Sequence, residues 1–150
     1  MDAMNVYGPT ADVVVVGYNS SELEDILNDK AARQDRVVKP EEHPERGGYY
    51  RSDHFNFAKK GVPMLYAKSG SNHREHGPEY IKAKSDEYLK TRYHTAHDEI
   101  GEDWDLRGLA EDIEIYFAIG LEITDSEVWP EWYEGNEFRS IREHSLTGKD

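Results

Sequence analysis

The sequence predicts an α/β fold, and three features of the chain carry that prediction. Residues 12–18 read DVVVVGY, with β-branched side chains on both faces, which is typical of a strand buried on both sides. A second apolar run, residues 62–67, begins after Gly61, contains Pro63 near its start and predicts a second strand. Helical periodicity follows each run. The alternation of strand and helix is the pattern of an α/β domain.

The first helix is expected from Ser21 to about Gln34. Ser21 and Glu24 have the spacing of a capping box. In this motif the serine hydroxyl accepts a hydrogen bond from the third helical amide, and the glutamate carboxylate accepts one from the amide of the serine. Apolar residues then recur at helical spacing, at Leu23, Ile26, Leu27 and Ala31.

The segment around the second strand is expected to contain a short helix and a long loop. Ser52 is a plausible cap for a helix through Lys60, and Gly61 is a plausible left-handed stop. Residues 68–91 are polar and contain glycine, so we expect a loop there. His73 and His76 fall within it and are expected to lie at the surface.

A longer helix is expected from about Trp104, with Asp103 as its cap. Its predicted buried stripe consists of Leu106, Leu109, Ala110, Ile113, Phe117, Gly120 and Leu121. The α/β body then spans residues 1–125, and an aromatic, acidic tail, residues 126–150, is expected to pack on that body.

Composition narrows the classes of partner. A chain of 150 residues is the size of one domain, and its formal net charge of -13 would repel a phosphate backbone, so we expect no nucleic-acid binding. The longest apolar run, Val13 to Val16, is too short to span a bilayer. The chain has no cysteine, which excludes disulfides and thiolate zinc ligands.

Three short islands carry residues suited to chemistry: 1–5 (MDAMN), 51–54 (RSDH) and 93–98 (YHTAHD). Aspartate and histidine from separate segments suit zinc, and a tyrosine hydroxyl can donate to a developing oxyanion. The simpler alternative for Asp53 is a helix cap, because aspartate favours that position, but capping leaves His54 without an explanation.

In this order and spacing, DAMN, RSDHFxFAKxGVP and YHTxxDE resemble the C-terminal half of the co-catalytic zinc aminopeptidases. These form family twenty-eight of the metallopeptidases, which includes relatives of bacterial leucyl aminopeptidase and of glutamate carboxypeptidase. The resemblance implies a three-layer α/β/α sandwich, of which this chain holds the C-terminal part. It also implies two zinc ions and a peptide substrate, whose N-terminal residue is released when a metal-activated water hydrolyses the first peptide bond.

The same resemblance implies roles for individual residues. Asp2 matches the aspartate that completes one zinc site, and His94 matches the histidine that completes the other. Tyr93 matches the tyrosine that steadies the tetrahedral intermediate in some members.

The RSDH island matches the pattern that lines the substrate side of the cleft. Asp53 and His54 correspond to its central pair, and Arg51 is grouped with them as a candidate substrate-binding residue. This assignment gives His54 a role that helix capping does not.

Two family motifs have no match in these residues: the upstream His-x-Asp that bridges the metals, and the Glu-Glu pair that supplies the general base. We therefore expect the chain to be the C-terminal part of a larger peptidase, inactive without its missing N-terminal half. A sheet that lacks this half would expose a strand edge, through which we expect the chain to form a homo-oligomer.

Two other functions stay open. One is a non-catalytic binding module with the peptidase fold, as in the transferrin receptor ectodomain. The other is a glutaminyl cyclase-like acyltransferase, which uses a single zinc ion.

Overall fold

The computed structural model describes residues 5–148, and a three-stranded sheet lies at the centre of this part of the chain. Its strands are β1 (Asp12–Val16), β2 (Val37–Pro40) and β3 (Tyr66–Ser69), in the order β2-β1-β3. β1 runs parallel to β2 and antiparallel to β3. The mixed arrangement of strands and helices confirms the predicted α/β class.

Five helices connect and flank these strands in the described residues: α1 (Leu23–Ala32), α2 (His54–Ala58), α3 (Pro78–Thr91), α4 (Arg107–Asp125) and α5 (Arg139–Thr147). Two short 3-10 turns, Pro44–Arg46 and Gly48–Arg51, precede α2. Among residues 5–148, no helix combines the length and apolar character needed to cross a membrane.

The main core lies between the sheet and the helices α1 and α4. The β-branched run of β1 supplies its centre, as the apolar pattern predicts, because alternate valines face the helices. Its buried members are Val13, Val15, Leu27, Ala31, Ala67, Ile115 and Ile119.

A second, smaller core joins the C-terminal segment to α2. Trp132 and Phe138 are buried, and they pack with Ala58 beneath the half-buried rings of Tyr49 and Phe55. The indole Nε1 of Trp132 donates a hydrogen bond of 2.9 Å to the carbonyl oxygen of Gly61.

The second strand begins later than the apolar run suggests. The prediction placed it at residues 62–67, whereas β3 begins at Tyr66, opposite Val16. Gly61 has the expected left-handed backbone, with φ of +81°, and Pro63 has no N–H to donate to a ladder. The turn therefore extends past the first apolar residues.

The loop predicted for residues 68–91 is wrong over its second half, where α3 forms. Gly77 has a φ of +76°, and Pro78 occupies the first turn of the helix. The N–H that proline lacks would have no partner within the helix at this position, so proline is well tolerated there. No residue of α3 is buried, and an ion pair of 2.5 Å joins Lys82 to Asp86 one turn later. Local propensity and charge pairing thus replace the apolar stripe by which a helix is usually recognised.

The predicted caps are also wrong in detail. The side chain of Ser21 is buried and has no hydrogen-bond partner, while the carboxylate of Glu24 accepts from the amides of Asn19 (2.7 Å) and Ser20 (2.6 Å). Glu24 therefore stabilises the turn before α1 rather than returning to Ser21.

The predicted caps of the other two helices fail as well. Asp103 pairs with Lys84 at 3.1 Å, and α4 begins after Leu106. α2 is preceded by Asp53, and no side chain caps it.

The most informative correction concerns the stripe predicted to be the buried face of α4. Leu106, Ile113, Phe117 and Leu121 are 50%, 43%, 70% and 57% exposed, respectively. The buried residues of the helix are instead Gly108, Asp112, Ile115 and Ile119. α4 is apolar on two faces, and the sheet and α1 cover only one of them in the described structure.

Candidate functional site

A cavity of about 290 Å³ opens between the start of α2, strand β3 and the first turns of α4. Its lining includes Ser52, Asp53 and His54 from the start of α2, residues 64–69 from β3 and the preceding turn, and Leu109, Asp112 and Tyr116 from α4. The structure thus brings Asp53 and His54, two of the sequence-predicted site residues, to the wall of one cavity.

His54 is the most unusual residue of this wall. It is 9% exposed, and neither of its ring nitrogens has a hydrogen-bond partner. Its ring meets the edge of Tyr49 at 4.6 Å and lies 4.8 Å from the ring of Tyr66, measured between centroids. Burial lowers the pKa of the imidazole, which favours the neutral ring. A neutral imidazole offers one donor and one acceptor, and neither is used within the described structure.

Tyr49 extends this unpaired region behind His54. Its hydroxyl is buried without a partner, and burial raises the pKa of the phenol to about 12. Phe138 from the C-terminal segment stacks on the same ring at 6.4 Å with an interplanar angle of 21°. The second core therefore supports the ring that contacts His54.

The opposite wall carries a buried ion pair that the sequence analysis missed. Asp112 lies 2.8 Å from Nη1 of Arg36 and accepts a hydrogen bond of 2.6 Å from the hydroxyl of Ser69. Burial, followed by the charge of Asp112, raises the pKa of the Tyr116 phenol to about 12. The sequence offered no signal for this pair, because the buried stripe predicted for α4 lay on its other face and left Asp112 at the surface.

The end of the first island also reaches this cavity. Asn5 is 4% exposed, and its side chain donates to the carbonyl of Gly8 at 2.8 Å and accepts from the amide of Tyr7 at 2.9 Å. A Cβ on Gly108 would lie 2.2 Å from the Gly8 carbonyl oxygen, so α4 can pass here only with glycine. Asp2, the predicted zinc ligand of this island, lies outside the described residues.

The third island, residues 93–98, lies away from the cavity. Tyr93 and His94 follow α3 in an exposed loop, with their rings stacked at 3.8 Å, and neither lines the cavity. His94 has a φ of +58°, a left-handed backbone that is uncommon outside glycine, although histidine adopts it more often than most residues. Arg51 ends its 3-10 turn, is exposed and does not line the cavity either.

The described residues do not by themselves assemble a zinc site. Across residues 5–148, no group of three histidine, aspartate or glutamate side chains is arranged to hold a metal ion. His94 contributes a single exposed imidazole, whereas zinc sites use three or four protein ligands. No catalytic step through a metal can therefore be built from this geometry.

His73 is buried, contrary to the surface position expected for it. It is 3% exposed, and its Nδ1 accepts hydrogen bonds of 3.1 Å from the amides of both Glu75 and His76. That nitrogen is occupied by backbone, so His73 serves the turn before α3.

The fold and cavity define a class: an α/β domain whose candidate site lies where a helix start and a strand end meet, as in many α/β enzymes. Comparison with known families identifies the protein family within this class. The model of peptidase family M28 matches residues 1–118, and the chain belongs to this family, which consists of metallopeptidases that are generally zinc-dependent. The match confirms the resemblance found in the sequence. No curated protein and no solved structure matches the chain.

Proposed function

We propose that this chain forms part of a zinc-dependent aminopeptidase that removes N-terminal residues from peptides, and that its cavity is one wall of the substrate cleft. The observation that carries this proposal is His54, a buried imidazole with both nitrogens unpaired, in the wall of a cavity of about 290 Å³ in a chain of peptidase family M28. In this function Asp53 and His54 contact the peptide and Arg51 borders the cleft.

The metal ligands in this proposal are Asp2 and His94, one for each of two zinc ions, with Tyr93 beside His94. The exposure of His94 supports this role, because an exposed imidazole can bind a metal ion together with ligands from another part of the protein. The remaining ligands and the general base would come from a missing N-terminal half of the domain, so the 150-residue chain is expected to be inactive.

The first experiment measures zinc per chain after equilibration with zinc and removal of the excess, for the wild type and His94→Ala. His97→Ala is the matched control, because His97 is an exposed histidine in the same loop. The isolated chain is expected to retain no tightly held zinc and to release no leucine from a leucyl anilide. Zinc-dependent turnover by the isolated chain, lost in His94→Ala, would show that the site is complete without another half.

The second experiment uses the longest natural form of the protein that contains these residues. There His94→Ala is expected to lower kcat/KM for the leucyl anilide by at least about a hundredfold, because even residues that only orient a metal ligand typically contribute about 10–100-fold, while His97→Ala stays near the wild type. A non-catalytic binding module would show no turnover in any form. A product cyclised from an N-terminal glutamine peptide would indicate the acyltransferase instead.

A further inference from the structure

The aromatic C-terminal segment, residues 129–138, is joined to the cavity wall by a row of neighbouring rings. Between ring centroids, Trp132 lies 5.4 Å from Phe138, and Phe138 lies 6.4 Å from Tyr49. Tyr49 in turn lies 4.6 Å from His54. Each separation falls within the range of about 4.5–7 Å at which aromatic rings attract one another. This aromatic row therefore links the C-terminal segment to the imidazole in the cavity wall.

The C-terminal end of the aromatic row is the more firmly held. Trp132 and Phe138 are 1% and 6% exposed, and the indole of Trp132 donates a hydrogen bond to the carbonyl oxygen of Gly61. Tyr49 is half-buried, and its ring packs against this core and lies beside Gly17, where a Cβ would overlap it. Phe138 therefore supports the Tyr49 ring from a fixed position.

His54 depends on ring contacts for its own position. Neither of its ring nitrogens has a hydrogen-bond partner among the described residues. It begins α2, a helix of five residues that no side chain caps, and a helix this short is not stable by itself. The neighbouring rings are those of Tyr49 and Tyr66. Tyr66 is paired with Val16 in the sheet, whereas Tyr49 lies in a 3-10 turn without buried residues and needs the support of the second core.

We propose that the C-terminal segment sets the position of His54, with Phe138 and Tyr49 as positioning residues for the cavity wall. This gives the aromatic tail a role at the site in addition to packing on the body. The effect on substrate rests on the proposed function, in which His54 contacts the peptide, whereas the coupling between the rings does not.

The coupling is tested in the 150-residue chain by NMR titration of the His54 ring protons. Burial lowers the pKa of this imidazole, and no charged group among the described residues contributes to that shift. A variant that loosens the ring contacts should therefore raise the titration midpoint toward about 6.5, the ordinary value for histidine. The spectrum of His54→Phe identifies the signal, because it lacks the His54 resonance.

Phe138→Leu and Tyr49→Leu are each expected to raise this midpoint. Tyr49→Phe is the conservative control, since it keeps the ring and removes only a hydroxyl without a partner, so it should titrate as the wild type does. Ile119→Val weakens the main core, away from His54, and should also leave the midpoint unchanged. Because Tyr49 is only half-buried, Tyr49→Leu keeps the test decisive if Phe138→Leu does not fold. An unchanged midpoint in the folded leucine variants, or an equal shift in Ile119→Val, would overturn the inference.

The effect on substrate is measured in the longest natural form of the protein. Phe138→Leu is expected to raise KM for the leucyl anilide by about two- to thirtyfold, the usual size of an effect transmitted through other residues, with a smaller change in kcat. Phe117→Leu, at a position 70% exposed, should stay near the wild type.

The two measurements separate this inference from the proposed function. A wild-type KM in an active enzyme whose His54 midpoint has shifted would overturn the role in substrate binding. Absence of turnover in every form, with the midpoint shifted as expected, would contradict the proposed function and still support the coupling.

Discussion

Nη1 of Arg36 lies 2.8 Å from Oδ1 of Asp112, and their side chains are only 1% and 10% exposed. This ion pair joins the turn before β2 to the buried face of α4. Arg36 also donates from Nη2 to the carbonyl of Asp12 at 2.9 Å and to the hydroxyl of Thr10 at 3.0 Å. One guanidinium thus connects the sheet to the helix that forms a wall of the cavity.

Removal of one partner of this pair should be costly. Arg36→Leu is expected to lower the free energy of unfolding by about 3–5 kcal/mol, because it leaves a carboxylate buried without its counter-ion. The double variant Arg36→Leu/Asp112→Leu should lose less, since no charge remains buried. Urea unfolding followed by tryptophan fluorescence measures both, together with the second single variant, Asp112→Leu. A double variant that is as unstable as the sum of the two single variants would show that the pair is not coupled.

His54 should make stability depend on pH. Its pKa is lowered by burial in the folded state, so the unfolded chain binds the proton more readily. The free energy of unfolding should therefore fall as pH decreases below about 6.5, the ordinary pKa of histidine, until the folded-state pKa is passed. His54→Phe should remove this part of the slope, in urea unfolding measured between about pH 7.5 and about pH 5.5.

The control for His54 is His97→Phe, at an exposed position. It should keep the slope of the wild type. An unchanged slope in His54→Phe would mean that the imidazole titrates equally in the folded and unfolded chains.

The two C-terminal tryptophans should contribute very differently to the stability of the fold. Trp132 is 1% exposed and Trp129 is 71% exposed, although they lie three residues apart. Trp132→Ala is expected to cost about 3–5 kcal/mol through the cavity it leaves, whereas Trp129→Ala should change stability by less than about 0.5 kcal/mol. Thermal or urea unfolding of the two variants decides the matter, and similar losses in both would contradict the packing of the second core.

Substitution of two glycines allows the cost of a left-handed backbone to be measured separately from the cost of a steric clash. Gly61 and Gly135 have φ of +81° and +83°, but a Cβ on Gly61 would lie 2.6 Å from the amide nitrogen of Arg142, while one on Gly135 meets nothing within 4 Å. Gly135→Ala should therefore cost about 1 kcal/mol from its left-handed backbone alone. Gly61→Ala should cost clearly more in the same unfolding assay. Equal losses would mean that α5 shifts to accommodate the methyl group.

Sequence reasoning succeeded where a local pattern and the tertiary structure agree. The β-branched run of β1, the apolar spacing of Leu23, Leu27 and Ala31 in α1, and the stop at Gly61 each report a local preference that the fold keeps. The family resemblance succeeded because three motifs occur in a fixed order.

Sequence reasoning failed where a long-range choice decides the outcome. In α4 two apolar faces compete, and periodicity cannot tell which one meets the sheet; the observed choice follows Ile115 and Ile119. Asp112 looks like a surface acid until Arg36, far away in the sequence, is placed beside it. The cavity itself depends on such long-range contacts, so only its α2 wall was foreseen.

The two cores also become available at different moments of synthesis. Every buried residue of the main core precedes the end of α4, so a nascent chain that has emerged through Asp125 already contains all of it. The second core waits for Trp132 and Phe138. A nascent chain that ends before Trp132 lacks the buried partners of Tyr49 and Phe55, and therefore leaves these two aromatic rings uncovered.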